Sequence, residues 1–275
     1  MTPSLTAQGV ARARARMTRP STRTGDPESE ARLNVDLGAD PDDAPGPLFH
    51  HLSARTTFFD ALALRAAESG TAQIVIVGAG YDCRALRFRD PAVRYFELDH
   101  PATQHDKQER LRRLGIAASD VTYVAIDLST GEVAAALAEA GHDAAQPTLF
   151  TCEGLLLYLD VDTVERVFRG LRNQAEGRAA LALSIAVRDH APATPLAAAR
   201  RAAWNERLRQ IGEPPRTRLR RAEWDALLAK TGWVVVSAVD PHELDAKASP
   251  GGALLVTAEP VPPESRESRG SAPWK

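Results

Sequence analysis

Asp99, Asp127 and Glu153 each stand just beyond a short apolar run that reads as a buried strand: Val93–Leu98, Val121–Ile126 and Thr148–Cys152. In a doubly wound sheet the carboxyl ends of the strands share one edge, so the three acids are expected to face one crevice. A fourth run, Ile74-Val75-Ile76-Val77, leads straight into Gly78-Ala79-Gly80, a turn in which two glycines let a ligand come close to the backbone. One carboxylate can accept from both hydroxyls of a ribose, the place Asp99 takes in such folds, and another can accept from an adenine amino group. The chemistry written in this spacing is the binding of a nucleotide-type cofactor.

The turn departs from the dinucleotide fingerprint. The residue three places after Gly80 is Cys83, where a third glycine or an alanine is required, and Asp82 falls where a pyrophosphate would sit and would repel it. That favours a cofactor without phosphates, and S-adenosylmethionine is the candidate, its sulfonium cation gaining from nearby acids. A nicotinamide-dependent oxidoreductase is the alternative enzyme. A non-catalytic, cofactor-binding protein of the same fold is a third reading, since fold alone does not establish activity.

These residues need a scaffold, and the rest of the chain supplies one. Helical spacing over 53–69 predicts a helix packed on the sheet, and Pro101 opens another that Gly115 closes. An alanine-rich helix is expected at 132–140, helical material over 155–159 and 161–171, and a helix at 221–230. Strands are expected at 73–77, 93–98, 121–125, 148–151, 179–185, 234–236 and 253–256. Alternation of strand and helix requires right-handed crossovers, and hence an α/β, doubly wound, mostly parallel seven-stranded sheet of the Rossmann-like kind. The final pair lacks a crossover helix, so an antiparallel hairpin closes the sheet.

The segment 187–220, polar, arginine-rich and proline-broken, is expected to be a small helical lid. Residues 1–47 read as an N-terminal extension or partial cap, 48–258 as the main domain, and 259–275 as a disordered tail. Within the extension, Val10–Met17 is expected to be a short helix whose arginines form a solvated face, the alternative being that they reach over an anionic ligand, and 40–47 an exposed loop.

The chain has 275 residues, 44% of them hydrophobic, enough for a sizeable core. A net charge of −2 speaks against nucleic acid as a partner. No apolar run is long enough to span a bilayer, no secretory signal is visible, and two cysteines in no metal-ligand pattern predict reduced thiols, no metal and a cytoplasmic location.

Several stretches in the right order resemble the leucine carboxyl methyltransferase family, in particular its bacterial branch of S-adenosylmethionine-dependent O-methyltransferases, which includes polyketide carboxyl methyltransferases. They are Ala54-Arg55-Thr56-Thr57-Phe58-Phe59-Asp60, Val77–Arg84, Tyr95-Phe96-Glu97-Leu98-Asp99-His100-Pro101, Ile126-Asp127-Leu128 and Cys152-Glu153-Gly154-Leu155-Leu156-Leu157-Tyr158-Leu159, within about residues 50–185. The resemblance implies a class I methyltransferase fold. It also implies that Arg55 holds the methionine carboxylate, that Gly78 and Gly80 admit the methionine moiety, and that Asp99 takes the ribose. Asp127 and Leu128 would flank the adenine, Glu153 would bond near the methionine amino group, and Tyr158 would face the acceptor.

For the acceptor, a small natural-product-like molecule is expected. A carboxylate is nucleophilic at neutral pH without help, whereas a phenol profits from a base. His190 is the candidate base in the variable segment. The arginines of 188–220 favour an anionic acceptor, and so a carboxylate. Trp204 could line its pocket or simply pack. Oligomeric state is left open.

Overall fold

A computed structural model of the chain describes residues 2–40, 48–189 and 195–262. Seven strands form one sheet in the order β3-β2-β1-β4-β5-β7-β6. They are β1 (Gln73–Val77), β2 (Arg94–Asp99), β3 (Val121–Ala125), β4 (Thr148–Cys152), β5 (Ala179–Ala186), β6 (Trp233–Val239) and β7 (Ala253–Pro260). The first five are parallel; β7 runs antiparallel to both β5 and β6. The expected hairpin forms, but its second strand inserts next to β5 and leaves β6 at the edge. The four-residue α10 (Pro241–Leu244) in its connection is too short to act as a crossover.

β1 is central and buried along its whole length. Val75 and Val77 point to one face, with Phe96, Phe150, Phe168 and Trp233, while Ile74 and Ile76 point to the other, with Phe59, Leu86, Phe88 and Leu111. A run of β-branched residues suits a strand that must be apolar on both sides. Helices α3 (Phe49–Glu68), α4 (Arg84–Arg87), α5 (Pro101–Arg113), α6 (Val133–Glu139), α7 (Val161–Asn173) and α9 (Arg221–Lys230) accompany the sheet.

The stretch expected to be helical at 155–159 holds only a 3-10 turn, Leu156–Tyr158, because Asp160 caps α7 immediately afterwards and its carboxylate accepts from the Thr163 amide at 2.8 Å. The N-terminal region carries α1 (Leu5–Arg14) and α2 (Pro27–Asp36), while 41–47 lies outside the described residues. In the variable segment, α8 (Pro195–Gln210) is followed by an extended stretch that bridges back at Leu219 to Val187. The last strand includes Glu259 and Pro260, and 263–275 lies outside the described residues.

Candidate active site

Chain direction reverses between β1, which leads outward to β2, and β4, which lies on the other side of β1. A crevice must open at the carboxyl ends of these two strands. Into it come the glycine turn after β1, Asp99 at the end of β2 and Glu153 directly after β4. The cavity there measures about 510 Å³.

The turn is built by its own amides. Gly78 and Ala79 both donate to the Leu98 carbonyl, at 2.8 and 3.1 Å. Gly80 N donates to Asp99 Oδ2 at 2.5 Å, and His100 N to Oδ1 at 2.6 Å. Burial pushes the Asp99 carboxyl above the usual range even with these two donors on it. Gly80 has φ +54°, and a Cβ there would stand 2.9 Å from the Ala7 Cβ of α1, so glycine is needed for both conformation and space. The helix that follows, α4, spans only four residues, and Asp82 Oδ1 accepts from the Arg84 amide at its start (2.7 Å). No long helix N-terminus aims at a phosphate here.

Beneath the turn lies a buried ion network. Glu153 accepts from Arg14 Nη2 (2.9 Å), Arg55 Nε (3.0 Å) and Arg84 Nη1 (2.6 Å). Asp82 accepts from Arg14 Nη1 (3.2 Å) and Arg84 Nη1 (2.5 Å). Arg84 and Arg19 share Asp60, and Arg19 and Arg87 share Glu30. Burial by itself would raise the Glu153 carboxyl, but Arg14, Arg84 and Arg55 outweigh it and hold it well below its ordinary range. Asp82 is likewise held down by Arg84 and Arg14 against its burial. Through these pairs five guanidiniums (Arg14, Arg19, Arg55, Arg84, Arg87) meet four carboxylates (Glu30, Asp60, Asp82, Glu153), which leaves one positive charge in excess.

Of the residues singled out from sequence, Arg55, Gly78, Ala79, Gly80, Asp99, Glu153 and Tyr158 all line the cavity. Gly154, with φ +67°, lets the Arg55 guanidinium lie against its backbone, since a Cβ there would be 3.1 Å from Arg55 Nη1. Asp127 and Leu128 do not line the cavity; their neighbour Ser129 does. Leu128 is packed in the core, and Asp127 Oδ1 is occupied by the Ser129 amide (2.9 Å) and hydroxyl (2.6 Å). His190 lies outside the described residues. Trp204 is 37% exposed and is not among the lining residues. Cys83 and Cys152 are buried, and burial pushes the Cys152 thiol up to about 12, as suits packing rather than reactivity.

Sequence reasoning favoured solvent for Arg14 over a ligand-facing role. Its run of alternating arginines reads as a solvated face, yet Arg14 is buried, 6% exposed, between Asp82 and Glu153. The signal was Ala11 three residues earlier, an apolar contact on the same helix face. Glu213 was missed. It lines the cavity from the segment after α8 and accepts from the amides of Leu5 and Thr6.

Residues 9–172 match the leucine carboxyl methyltransferase family. The chain belongs to that family. The match begins upstream of the motifs read from sequence and takes in Arg14. Among the family's relatives, a Mycobacterium marinum protein named provisionally as an S-adenosyl-L-methionine-dependent methyltransferase is 33% identical over 78% of this chain and 71% of its own length. A protein of the same provisional name from Streptomyces coelicolor is 40% identical over 49% of this chain and 48% of its own. The chain thus spans about half the length of some curated relatives it matches.

Solved structures support the fold of this leucine carboxyl methyltransferase family member. A provisionally named methyltransferase from Thermobifida fusca superposes with a TM-score of 0.58 at 13% identity, covering 94% of this chain and 95% of the other. Magnesium protoporphyrin IX methyltransferase from Synechocystis PCC 6803, solved with SAH bound, gives 0.50 at 13% identity over 80% of this chain and 90% of the other. Among the described residues, no helix is long and apolar enough to cross a membrane, and no group of three or more His, Cys, Asp or Glu side chains is gathered to hold a metal.

Proposed function

We propose that this chain is an S-adenosylmethionine-dependent O-methyltransferase acting on a small, natural-product-like acceptor, with a carboxylate favoured over a phenol or other hydroxyl. The observation that carries the reading is that Arg55 and Arg14 line, with Glu153, one end of a cavity whose lining also holds the glycine turn and Asp99. A group with a carboxylate at one end and a ribose at the other fits that pattern, and a dinucleotide does not: α4 is too short to receive a pyrophosphate, and Asp82 occupies the position.

When bound, S-adenosylmethionine supplies an electrophilic methyl group. Arg55 is the residue to hold its carboxylate, since only its Nε is committed to Glu153; Arg14, whose Nη1, Nη2 and Nε donate to Asp82, Glu153 and Thr56, can add only the second N–H of each Nη. Glu153 accepts three guanidinium N–H groups; it fixes both arginines and has one lone-pair direction left for an ammonium. Asp99, its oxygens each with one backbone donor, retains acceptor capacity for the ribose hydroxyls. Asp127 and Leu128 would act at the adenine end by shaping the loop that presents Ser129. Tyr158 faces the acceptor. Arg216 lines the same cavity as a cationic group toward an anionic acceptor, with Asp160 in the same lining sharing its field. A carboxylate needs no general base, so the reading asks nothing of His190.

Calorimetric titration with S-adenosylhomocysteine, with NADH in parallel, tests the cofactor. Micromolar binding of the former that is lost in Arg55→Ala and Asp99→Ala is expected. Tight NADH binding, or none of the former, would overturn the reading. Screening carboxylates and then phenols as acceptors follows, with methyl-ester formation as the expected product.

A further inference from the structure

We infer that α1 is a strap that lies over the cofactor cavity and lifts for cofactor exchange, and that Glu213 is the residue that fastens it; the inference rests on the proposed use of this cavity. The strap crosses the glycine turn. Ala7 packs on Gly80, the Gln8 amide reaches the Tyr81 hydroxyl at 3.5 Å, and Arg14 at the far end joins Asp82 and Glu153. Ser4, Thr6, Val10 and Arg14 all line the cavity from this side.

Little apolar surface holds α1 down. Of its ten residues only Ala11 and Arg14 are buried, and Leu5 is 47% exposed. An element with so few buried apolar contacts belongs to the low end of local stability, and its polar ends decide whether it stays in place. The first turn of any helix has amides without intrahelical partners. Ser4 Oγ takes the Ala7 amide at 3.1 Å. Glu213 takes three donors together: Leu5 N at 2.7 Å, Thr6 N at 3.2 Å and the Thr6 hydroxyl. A carboxylate so placed gains from both charge-assisted bonds and the helix dipole.

Glu213 is itself anchored to the acceptor side. Three residues on, Arg216 N donates to the Leu157 carbonyl at 2.7 Å, and Thr217 Oγ1 to the Leu159 carbonyl at 2.5 Å. These carbonyls flank Tyr158 in the 3-10 turn. Glu213 therefore ties the strap to the wall that carries Tyr158, while Arg14 ties its other end to the ion network. The two fastenings are separate: Arg14 lies within the ion network at the cofactor cavity, and Glu213 lies outside that network at the first turn of the helix.

Hydrogen exchange of the peptide covering residues 5–14, measured on the full unliganded chain, and the S-adenosylhomocysteine dissociation rate test this. Glu213→Ala should raise α1 exchange and speed dissociation, each by about fivefold, the effect of removing a helix cap. Glu213→Gln, which keeps one acceptor oxygen, should fall between it and wild type, and Thr6→Val should give a smaller increase. Unchanged α1 exchange in Glu213→Ala, a rise spread over the whole chain, or faster α1 exchange without faster dissociation would each overturn the strap. Failure of the wild-type chain to bind S-adenosylhomocysteine would instead overturn the cofactor reading, and the exchange data would still decide whether Glu213 fastens α1.

Discussion

Arg14 and Glu153, 139 residues apart in the chain, are joined by a 2.9 Å hydrogen bond between side chains each only 6% exposed. That bond places the N-terminal helix within the site that the sheet builds. Arg14 also contacts Asp82 on the glycine turn, so one guanidinium ties α1 to the loops after both β1 and β4. Breaking a buried pair from one side strands the other charge, and two carboxylates would lose a partner together.

Arg14→Ala is therefore expected to lower stability by about 3 kcal/mol, in the range for removal of one partner of a buried pair. Chemical denaturation measures it. S-adenosylhomocysteine affinity should fall more than about tenfold in the same variant, because a guanidinium–carboxylate contact contributes about 1.5–3 kcal/mol. Arg14→Lys should recover part of the stability but less of the affinity, since an ammonium lacks the planar fork.

Gly80→Ala tests the contact between α1 and the glycine turn. A side chain at φ +54° is strained, and the new Cβ would push Ala7 away. A loss of about 1–3 kcal/mol is expected, and α1 should exchange faster than in wild type. Gly115→Ala is also strained (φ +63°) but has open space around its Cβ, so it should leave α1 exchange unchanged.

His51, on α3 four residues before Arg55, gives the fold a pH response. Burial, with a smaller contribution from Arg55, lowers its imidazole from 6.5 to about 4. The folded-state value lies below the unfolded one, so its contribution to stability is present above about pH 6.5 and is lost as pH falls toward 4. The full loss amounts to about 3 kcal/mol. His51→Gln, which does not titrate, should flatten the stability profile between these pH values in thermal-denaturation scans.

Tyr158→Phe separates the acceptor classes. If the acceptor is a carboxylate, the hydroxyl only helps to orient it, and kcat should fall by about tenfold or less. A fall of about 100-fold or more, with a changed pH–rate profile, would point to general-base chemistry and a hydroxyl acceptor.

Much of the fold was legible because parallel strands buried on both faces leave uninterrupted apolar runs. Ile74–Val77 and Thr148–Cys152 were recognisable for that reason, and so were the residues at their ends, since sheet topology alone sends Gly78, Asp99 and Glu153 to one edge. Asp127 was less legible: a strand-end acid can turn into its own loop, as it does here toward Ser129, and strand ends do not reveal that choice.

Where apolar runs are absent, the sequence carries less. Arg12, exposed, and Arg14, buried, are two positions apart on the same short helix, and the one cue to which meets a carboxylate is Ala11, a single small apolar residue on the face of Arg14. The strands, the glycine turn and the acids that follow the strands are written in contiguous residues, because local periodicity needs only near neighbours. The convergence of Arg14, Arg55 and Arg84 on Glu153 and the reach of Glu213 to the first turn of α1 came from the packed fold. Those are long-range pairings of charged side chains, settled by which of several possible partners the packed elements bring within hydrogen-bonding distance.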